Sequence, residues 1–208
     1  GSDQWGNEGI DGYGNITLDD NGGLYVSAQG SPQGVGGTDD VYLLAKHNKQ
    51  DLSNIWRVLD PIPSSGFAAS AEAWGGLTYV KGTTAGDGKI ITAGWFFGNL
   101  GADAFTSVFS NLNSNMPSRE YIDLLATNGP RADWVLDNKV DTNGNIYVVG
   151  FTTGNLSTQP IGKGDAFIGK YSPQLTNPVF YQFGTTESDL ARKLEIDDSG
   201  NIYVTGYT

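Results

Sequence analysis

Acidic side chains are the residues of this sequence with the most obvious capacity for chemistry. A pair of Asp or Glu residues can act as acid, base or nucleophile in glycoside hydrolysis. The candidates in the second half of the chain are Asp133, Asp137, Asp141, Glu187, Asp189, Glu195, Asp197 and Asp198. Asp133 and Asp189 lie 56 residues apart, as do Asp141 and Asp197. Acids that recur at one interval serve a repeated structure, so the sequence predicts no catalytic residue and no enzyme.

Some of the same acids also fit a cation site. Asp141-Thr-Asn-Gly-Asn145 and Asp197-Asp-Ser-Gly-Asn201 place oxygen-bearing side chains along short loops. Calcium is bound by oxygen ligands of this kind. The candidate calcium ligands are Asp141, Asn143, Asn145, Asp197, Asp198 and Asn201. The alternative is a tight hairpin in which the aspartate accepts hydrogen bonds from backbone amides, and the absence of the distal glutamate of an EF-hand favours this turn.

Aromatic side chains offer a third kind of site. Trp95, Phe96 and Phe97 are consecutive, and exposed rings of this kind can stack on sugars as a ligand-binding surface. Trp95 stands where Phe151 and Tyr207 stand in related segments, and an aromatic residue repeated at one place indicates packing. Phe97, whose counterpart is a threonine, is therefore the better candidate for exposure.

The histidine and cysteine content excludes several other reactions. The chain has one His, His47, and no Cys, which excludes thiolate catalysis, disulfides and metal centres built from several His or Cys residues. No Gly-x-Ser-x-Gly segment accompanies His47, so a serine hydrolase of that type is excluded. We expect His47 to be an exposed residue of a turn at the edge of a sheet.

The charge balance narrows the range of partners. Lys and Arg number 12 and Asp and Glu number 23, which gives a formal net charge of -11. Such a chain repels the phosphates of nucleic acids. No stretch approaches the roughly 18 consecutive apolar residues of a membrane-spanning helix. We therefore expect no nucleic-acid partner and no membrane span.

The segments that carry these residues repeat along the chain. Four similar segments place an equivalent residue 66, 56 and 56 residues apart, at Tyr25, Ile91, Tyr147 and Tyr203. A second kind of segment lies between them, and Asp165-Ala-Phe-Ile-Gly-Lys-Tyr171 is its clearest example. Long-range similarity of this kind indicates a repeat architecture.

Each repeated unit is predicted to form four antiparallel strands. In the last unit, residues 193–197 alternate, residues 198–201 are turn formers, and residues 202–207 are rich in β-branched and aromatic side chains. Such units are typical of the blades of a β-propeller. A parallel β-helix has shorter rungs, and a β-sandwich does not explain the repetition. The sequence therefore predicts an all-β fold, a β-propeller of four-stranded antiparallel blades.

The residues of these units resemble a known family. The runs Gly164-Asp-Ala-Phe-Ile-Gly-Lys-Tyr-Ser172, Tyr181-Gln-Phe-Gly-Thr-Thr-Glu-Ser-Asp-Leu-Ala191 and Asp197-Asp-Ser-Gly-Asn-Ile-Tyr-Val-Thr-Gly-Tyr-Thr208 closely resemble the SBBP repeat of bacterial β-propellers. The resemblance is specific over residues 138–208, good over 86–109 and degenerate before that. It implies an extracellular or cell-surface bacterial protein, and it implies no activity because the family shares no catalytic residue set.

The unit boundaries predict about three and a half blades in one β-propeller segment. The units span approximately residues 1–58, 59–124, 125–183 and 184–208, and the last of them is incomplete. An uncapped repeat array leaves sheet edges open. We therefore expect the remainder of a longer propeller, or another chain, to complete the fold.

These observations favour a non-catalytic, secreted or cell-surface repeat module that mediates adhesion, assembly or protein interaction. Its partner is expected to be a protein or a cell-surface glycan, and no cofactor other than calcium is expected. The irregular segments 29–39, 60–74 and 111–118 are candidate partner surfaces. The alternative is a carbohydrate-binding or glycoside-cleaving β-propeller. A third reading is an enzyme subunit whose active site lies elsewhere in a longer polypeptide.

Overall fold

Fifteen β-strands make up the part of the chain that the structure describes. The computed structural model describes residues 14–30, 41–60, 71–72, 75–83, 87–98, 101–125, 132–157 and 160–208, and these ranges contain no helix. In chain order the strands are β1 (Ile16–Leu18), β2 (Gly23–Gly30), β3 (Val41–Asn48), β4 (Asn54–Asp60), β5 (Ala71–Glu72), β6 (Leu77–Val80), β7 (Lys89–Gly98), β8 (Gly101–Ser110), β9 (Ser118–Leu125), β10 (Asp133–Val140), β11 (Ile146–Thr152), β12 (Asp165–Tyr171), β13 (Val179–Phe183), β14 (Leu190–Ile196) and β15 (Ile202–Tyr207).

The strands form four antiparallel sheets that follow the chain order. Blade 1 has the strand order β1-β2-β3-β4, and blade 3 has the order β10-β11-β12-β13. In blade 2, β5 and β6 both pair with β7, which is followed by β8 and β9. The half-blade consists of β14 and β15. The predicted all-β fold of four-stranded antiparallel blades is confirmed.

The repetition extends to details of backbone geometry. β10 bulges between Val135 and Asp137, and β14 bulges at the corresponding place, between Ala191 and Lys193. The turns that follow contain a glycine in the left-handed region, which residues with a Cβ rarely adopt. An example is Gly200, whose φ is 81°. These turns fix the register of the first two strands in each unit.

Apolar cores lie between neighbouring blades. β10 contacts β6, β7 and β8 of blade 2, and β14 contacts β10, β11 and β12 of blade 3. The core between blades 1 and 2 contains Tyr25, Leu44, Trp56, Leu77, Ile90, Phe96, Phe105, Phe109 and Leu112. Because each blade is a sheet with apolar side chains on both faces, it becomes stable only when it packs against its neighbours.

The connection between the third and fourth strands inserts a leucine into the preceding blade. Leu112 joins the core with blade 1, and Leu175 joins the core with blade 2. The corresponding turn of blade 1 carries Leu52, which is 64% exposed. The turn therefore contributes to the contact between blades as well as joining two strands.

Several predictions about segments fall outside this description. Residues 31–39, 61–70 and 73–74, which belong to the predicted partner surfaces, lie outside the described residues. Within the described ranges, no helix is long and apolar enough to cross a membrane. The third predicted partner segment, residues 111–118, is described and forms part of the site below.

Candidate functional site

The first predicted calcium loop is a tight turn closed by its own aspartate. Asp141 Oδ1 accepts hydrogen bonds from the backbone amides of Asn143 at 2.9 Å and Asn145 at 2.8 Å. Its Oδ2 accepts from Asn145 Nδ2 at 2.8 Å and from the Tyr147 hydroxyl at 3.3 Å. Burial alone would raise the pKa of Asp141, but these hydrogen bonds outweigh it and lower the pKa.

The second predicted calcium loop has the same geometry. Asp197 accepts from the backbone amides of Ser199 and Asn201, from Asn201 Nδ2 and from the Tyr203 hydroxyl. Asp198 is exposed on the turn. In the part of the chain that is described, no three His, Cys, Asp or Glu side chains are grouped as metal ligands. A cation would have to displace the donors around each aspartate, and the calcium site stays a prediction.

Two of the three residues of the predicted aromatic surface, Trp95 and Phe96, are buried. Trp95 is 9% exposed, and its ring centroid lies 5.5 Å from that of Trp134, which lies 4.9 Å from Phe151. Phe96 is 4% exposed and belongs to the core between blades 1 and 2. The side chain of Phe97 lies outside the described part of the structure. Trp95 and Phe96 therefore pack within the protein, and sugar stacking on Phe97 stays a prediction.

Repeated carboxylates lie where one blade meets the next. Asp133 is buried and accepts a hydrogen bond from Thr152 Oγ1 at 2.5 Å. Asp189, at the same place one unit later, is buried and accepts from the backbone amide of Thr185 at 2.6 Å. Burial, and next the charge of Asp133, raise the pKa of Asp103. These contacts hold the ends of the strands, as the repetition in the sequence indicated.

The remaining acids are also engaged by partners. Glu187 and Glu195 form exposed ion pairs with lysines at 2.6 and 2.8 Å. Asp137 is buried and accepts a hydrogen bond from the backbone amide of Leu194 at 3.1 Å. Burial raises the pKa of Asp137, although the hydrogen bond and nearby lysines oppose the shift.

His47 is buried, and the prediction of an exposed turn residue is wrong. It lies in β3, is 8% exposed, and its Nδ1 is 3.1 Å from the carbonyl oxygen of Leu52. The places that correspond to it in blades 2 and 3 hold Phe109 and Tyr171, both buried. His47 thus fills an aromatic position of the repeat, and its polar neighbours in the sequence hide this.

A polar site that the sequence did not predict is centred on Lys46. The Lys46 side chain is 8% exposed, and its Nζ lies 3.3 Å from Asp19 Oδ2. The same ammonium lies 5.1 Å from the centroid of the Tyr25 ring. It donates hydrogen bonds to the carbonyl oxygen of Leu112 at 3.4 Å and to Asn113 Oδ1 at 3.2 Å. Lys46 therefore joins blade 1 to a loop of blade 2.

Asp19 is the counter-charge of this lysine. Its Oδ1 accepts from the amides of Gly23 at 2.7 Å and Asn21 at 2.9 Å, and its Oδ2 accepts from the Tyr25 hydroxyl at 2.9 Å. Burial would raise the pKa of Asp19, but the hydrogen bonds and Lys46 together lower it. Burial, and next the hydrogen bond to Asp19, raise the pKa of Tyr25. Asp19 and Lys46 therefore form an ion pair held within the protein.

The segment that covers Lys46 comprises residues 111–118, the connection from β8 together with the first residue of β9, and is called the β8–β9 loop here. Trp56 Nε1 donates to the carbonyl oxygen of Leu112 at 3.0 Å, and the Leu112 side chain lies in the core. Asn111 Nδ2 donates to Ser118 Oγ at 3.0 Å and closes the base of the loop. The amide of Ser114 donates to the carbonyl oxygen of Asn111 at 2.9 Å. Contacts from within and from blade 1 thus fix the loop.

The outer side of the β8–β9 loop forms a shallow cleft, largely open to solvent, with a volume of about 360 Å³. Its lining residues are polar and uncharged, with one methionine: Asn111, Asn113, Ser114, Met116 and Ser118. Met116 is 73% exposed. This braced loop with its cleft is the candidate functional site. In the sequence its signal is an irregular segment between two strand patterns, and nothing local indicates the support from Lys46.

The comparison with known families bears on the other end of the chain. Residues 180–208 match the SBBP beta-propeller repeat. The match covers β13, β14 and β15, and it confirms the resemblance of the chain to SBBP-type proteins. No curated protein matches the sequence.

Lys46 also has a counterpart in blade 3. Lys170 Nζ lies 5.3 Å from the centroid of the Tyr147 ring, much as Lys46 lies over Tyr25. Lys170 is exposed, whereas Lys46 is covered by the β8–β9 loop. The same pair of lysine and tyrosine is therefore exposed in blade 3 and supports a loop in blade 1.

Proposed function

We propose that the chain is a non-catalytic β-propeller repeat module that binds a partner through loops between its strands. On this proposal it works in adhesion, assembly or protein interaction, either secreted or at the cell surface. The SBBP resemblance supports the location and the role, since it implies an extracellular or surface protein without a shared catalytic set.

The observation that carries the proposal is the bracing of the β8–β9 loop. Binding residues are often placed on loops that a rigid scaffold positions. A loop held in one conformation loses little entropy when a partner binds. The hydrogen bonds from Lys46 and Trp56 to Leu112 supply this order from the neighbouring blade. The exposed side chains of the loop can therefore be presented in a fixed arrangement.

The engagement of the acids supports a non-catalytic role. Asp141 and Asp197 accept hydrogen bonds within their turns, and Asp189 accepts a hydrogen bond from the backbone amide of Thr185. Two of the carboxylates considered for hydrolysis are widely accessible, Glu187 with 67% and Glu195 with 73% of the side chain exposed. If the purified chain cleaves any member of a glycoside panel, and Glu187→Gln or Asp189→Asn abolishes that cleavage while the circular dichroism spectrum is retained, the non-catalytic assignment is wrong.

We propose further that strands of the same repeat type, from the same or another polypeptide, pair with β15. Among the described residues β15 pairs with β14 alone, whereas its counterpart β11 pairs with both β10 and β12. A free strand edge presents unpaired backbone groups. A synthetic peptide of residues 164–184, which form the hairpin that covers β11, should slow amide hydrogen exchange in β15. Unchanged exchange at saturating peptide would refute this pairing.

Adhesion provides the direct test of the main proposal. Beads coated with the chain should adhere to intact bacteria from a panel of species, and flow cytometry would count the adhering beads. Asn113→Ala should reduce adhesion several-fold, whereas Gln174→Ala, in the corresponding exposed turn of blade 3, should not. Adhesion to no species, or equal adhesion by both variants, would contradict a function of the β8–β9 loop.

A further inference from the structure

We propose that the cleft of the β8–β9 loop binds one neutral sugar residue of a glycan. This inference rests on the proposed function, because it assigns a ligand class to the same loop. The cleft is shallow and largely open to solvent, and its volume of about 360 Å³ leaves room for one small ring resting on the loop.

The chemistry of the lining favours a polyhydroxylated ligand. Carboxamides and hydroxyls both donate and accept hydrogen bonds, as the hydroxyl groups of a sugar do. Four of the five lining residues are Asn or Ser, and the fifth is Met116. Its exposed thioether and methylene groups offer a polarizable apolar surface, against which the C–H groups of a sugar ring can pack.

Lys46 fixes the orientation of the Asn113 amide. The ammonium can only donate, so the atom of Asn113 that it contacts at 3.2 Å must be the acceptor Oδ1. The Nδ2 group, with two N–H donors, is thereby left for a ligand. This orientation is decided by a buried charge, so the cleft has a fixed donor before a ligand arrives.

The base of the loop supplies a second donor and an acceptor. Asn111 Nδ2 donates to Ser118 Oγ, and the serine hydroxyl therefore keeps its own hydrogen for a further acceptor. The same bond leaves Asn111 Oδ1 as an acceptor for a ligand hydroxyl. Together with Asn113, the cleft presents two donors, Asn113 Nδ2 and the Ser118 hydroxyl, and one acceptor, Asn111 Oδ1.

The charge distribution favours a neutral ligand over a charged one. None of the lining side chains carries a charge. The nearest ammonium, that of Lys46, already contacts Asp19 and the loop carbonyl of Leu112. The chain has a net charge of -11, which repels anionic sugars, and the cleft offers no carboxylate to a cationic one.

The single methionine of the chain makes a sharp experiment. Labelling with methionine carrying a ¹³C methyl group places one NMR reporter, Met116, in the cleft. Titration with the methyl glycosides of glucose, galactose and mannose, and with N-acetylglucosamine, should shift this signal saturably for at least one sugar. For so small a ligand we expect a dissociation constant on the order of 1 mM.

Matched variants and charged sugars decide the outcome. Asn113→Ala and Ser118→Ala should each weaken binding about tenfold while the Met116 reporter remains, and Gln174→Ala should leave it unchanged. No shift with any neutral sugar, shifts only with glucuronic acid, sialic acid or glucosamine, or equal binding by all variants would overturn the proposal. If beads still adhere to cells through the loop when sugars fail, the sugar assignment alone is wrong. If adhesion fails, the proposed function is wrong whatever the sugars do.

Discussion

Replacement of Lys46 by methionine tests whether the buried ammonium supports the β8–β9 loop. Lys46→Met keeps most of the volume of the side chain and removes the charge opposite Asp19, 3.3 Å away. Removal of one partner of a buried ion pair costs about 3–5 kcal/mol. Asp19 retains its hydrogen bonds from Gly23, Asn21 and Tyr25, so we expect the lower end, a loss of about 3 kcal/mol. Urea unfolding, followed by circular dichroism, measures this loss.

Lys170→Met is the matched control, since Lys170 lies over Tyr147 as Lys46 lies over Tyr25. Its ammonium is exposed, and an exposed cation–π contact contributes about 0.5–1 kcal/mol. Hydrogen exchange should also become faster in the β8–β9 loop of Lys46→Met and remain unchanged there in Lys170→Met. Equal losses of stability in the two variants would refute the idea that coverage by the loop makes Lys46 special.

The pH dependence gives a second readout of the same pair. The folded pKa of Asp19 lies below the ordinary value of 3.8. The stability that its charge contributes is therefore present above about pH 3.8 and is lost as the pH falls through the folded pKa. Lys46→Met removes part of this lowering, so its stability deficit should shrink on acidification below pH 4. A deficit that is independent of pH would show that the ion pair is not its cause.

Two further predictions concern buried positions between the blades. Leu112→Ala, in the core with blade 1, should cost about 2–5 kcal/mol in urea unfolding, whereas Leu52→Ala at its exposed counterpart should change stability by less than about 0.5 kcal/mol. Asn138→Leu should stabilise the fold by about 1–3 kcal/mol, because the buried side-chain amide of Asn138 has no hydrogen-bond partner among the described residues. The corresponding residues of the neighbouring units are Leu77 and Leu194, which are both buried. Similar losses of stability in Leu112→Ala and Leu52→Ala would contradict the first prediction. A lower melting temperature for Asn138→Leu would contradict the second.

The architecture could be predicted because its determinants are local and repeated. An aspartate, a turn glycine and a following tyrosine close the same hairpin in several units, as around Asp141 and Asp197. Each hairpin sets its own register, and four such strands in order make a blade. The repetition also indicated that Trp95 packs in the protein, where it is 9% exposed.

The burial of Lys46 and His47 could not be predicted in the same way. Lys46 is covered by Leu112, which is 66 residues away in the sequence. The burial of Lys46 depends on which loop of the following blade lies over it, and the residues next to Lys46 in the sequence do not predict that contact. A polar run such as Lys46-His47-Asn48 therefore resembles a solvated turn, although its first two residues are buried. The candidate site was missed for the same reason, since its support comes from another blade.

The contacts between blades imply that the units are matched to their neighbours. Tyr25 pairs with Lys46 in blade 1, and the polar β8–β9 loop of blade 2 covers this pair. At the same register of blade 2, Ile91 pairs with Val108, and the connection of blade 3 covers them with the side chain of Leu175. A lysine in place of Val108 would lie in an apolar cluster with Leu175, and an apolar pair beneath the β8–β9 loop would leave the carbonyl oxygen of Leu112 with fewer donors. The units are therefore similar in strand pattern but not interchangeable at the place where one blade supports the loop of the next.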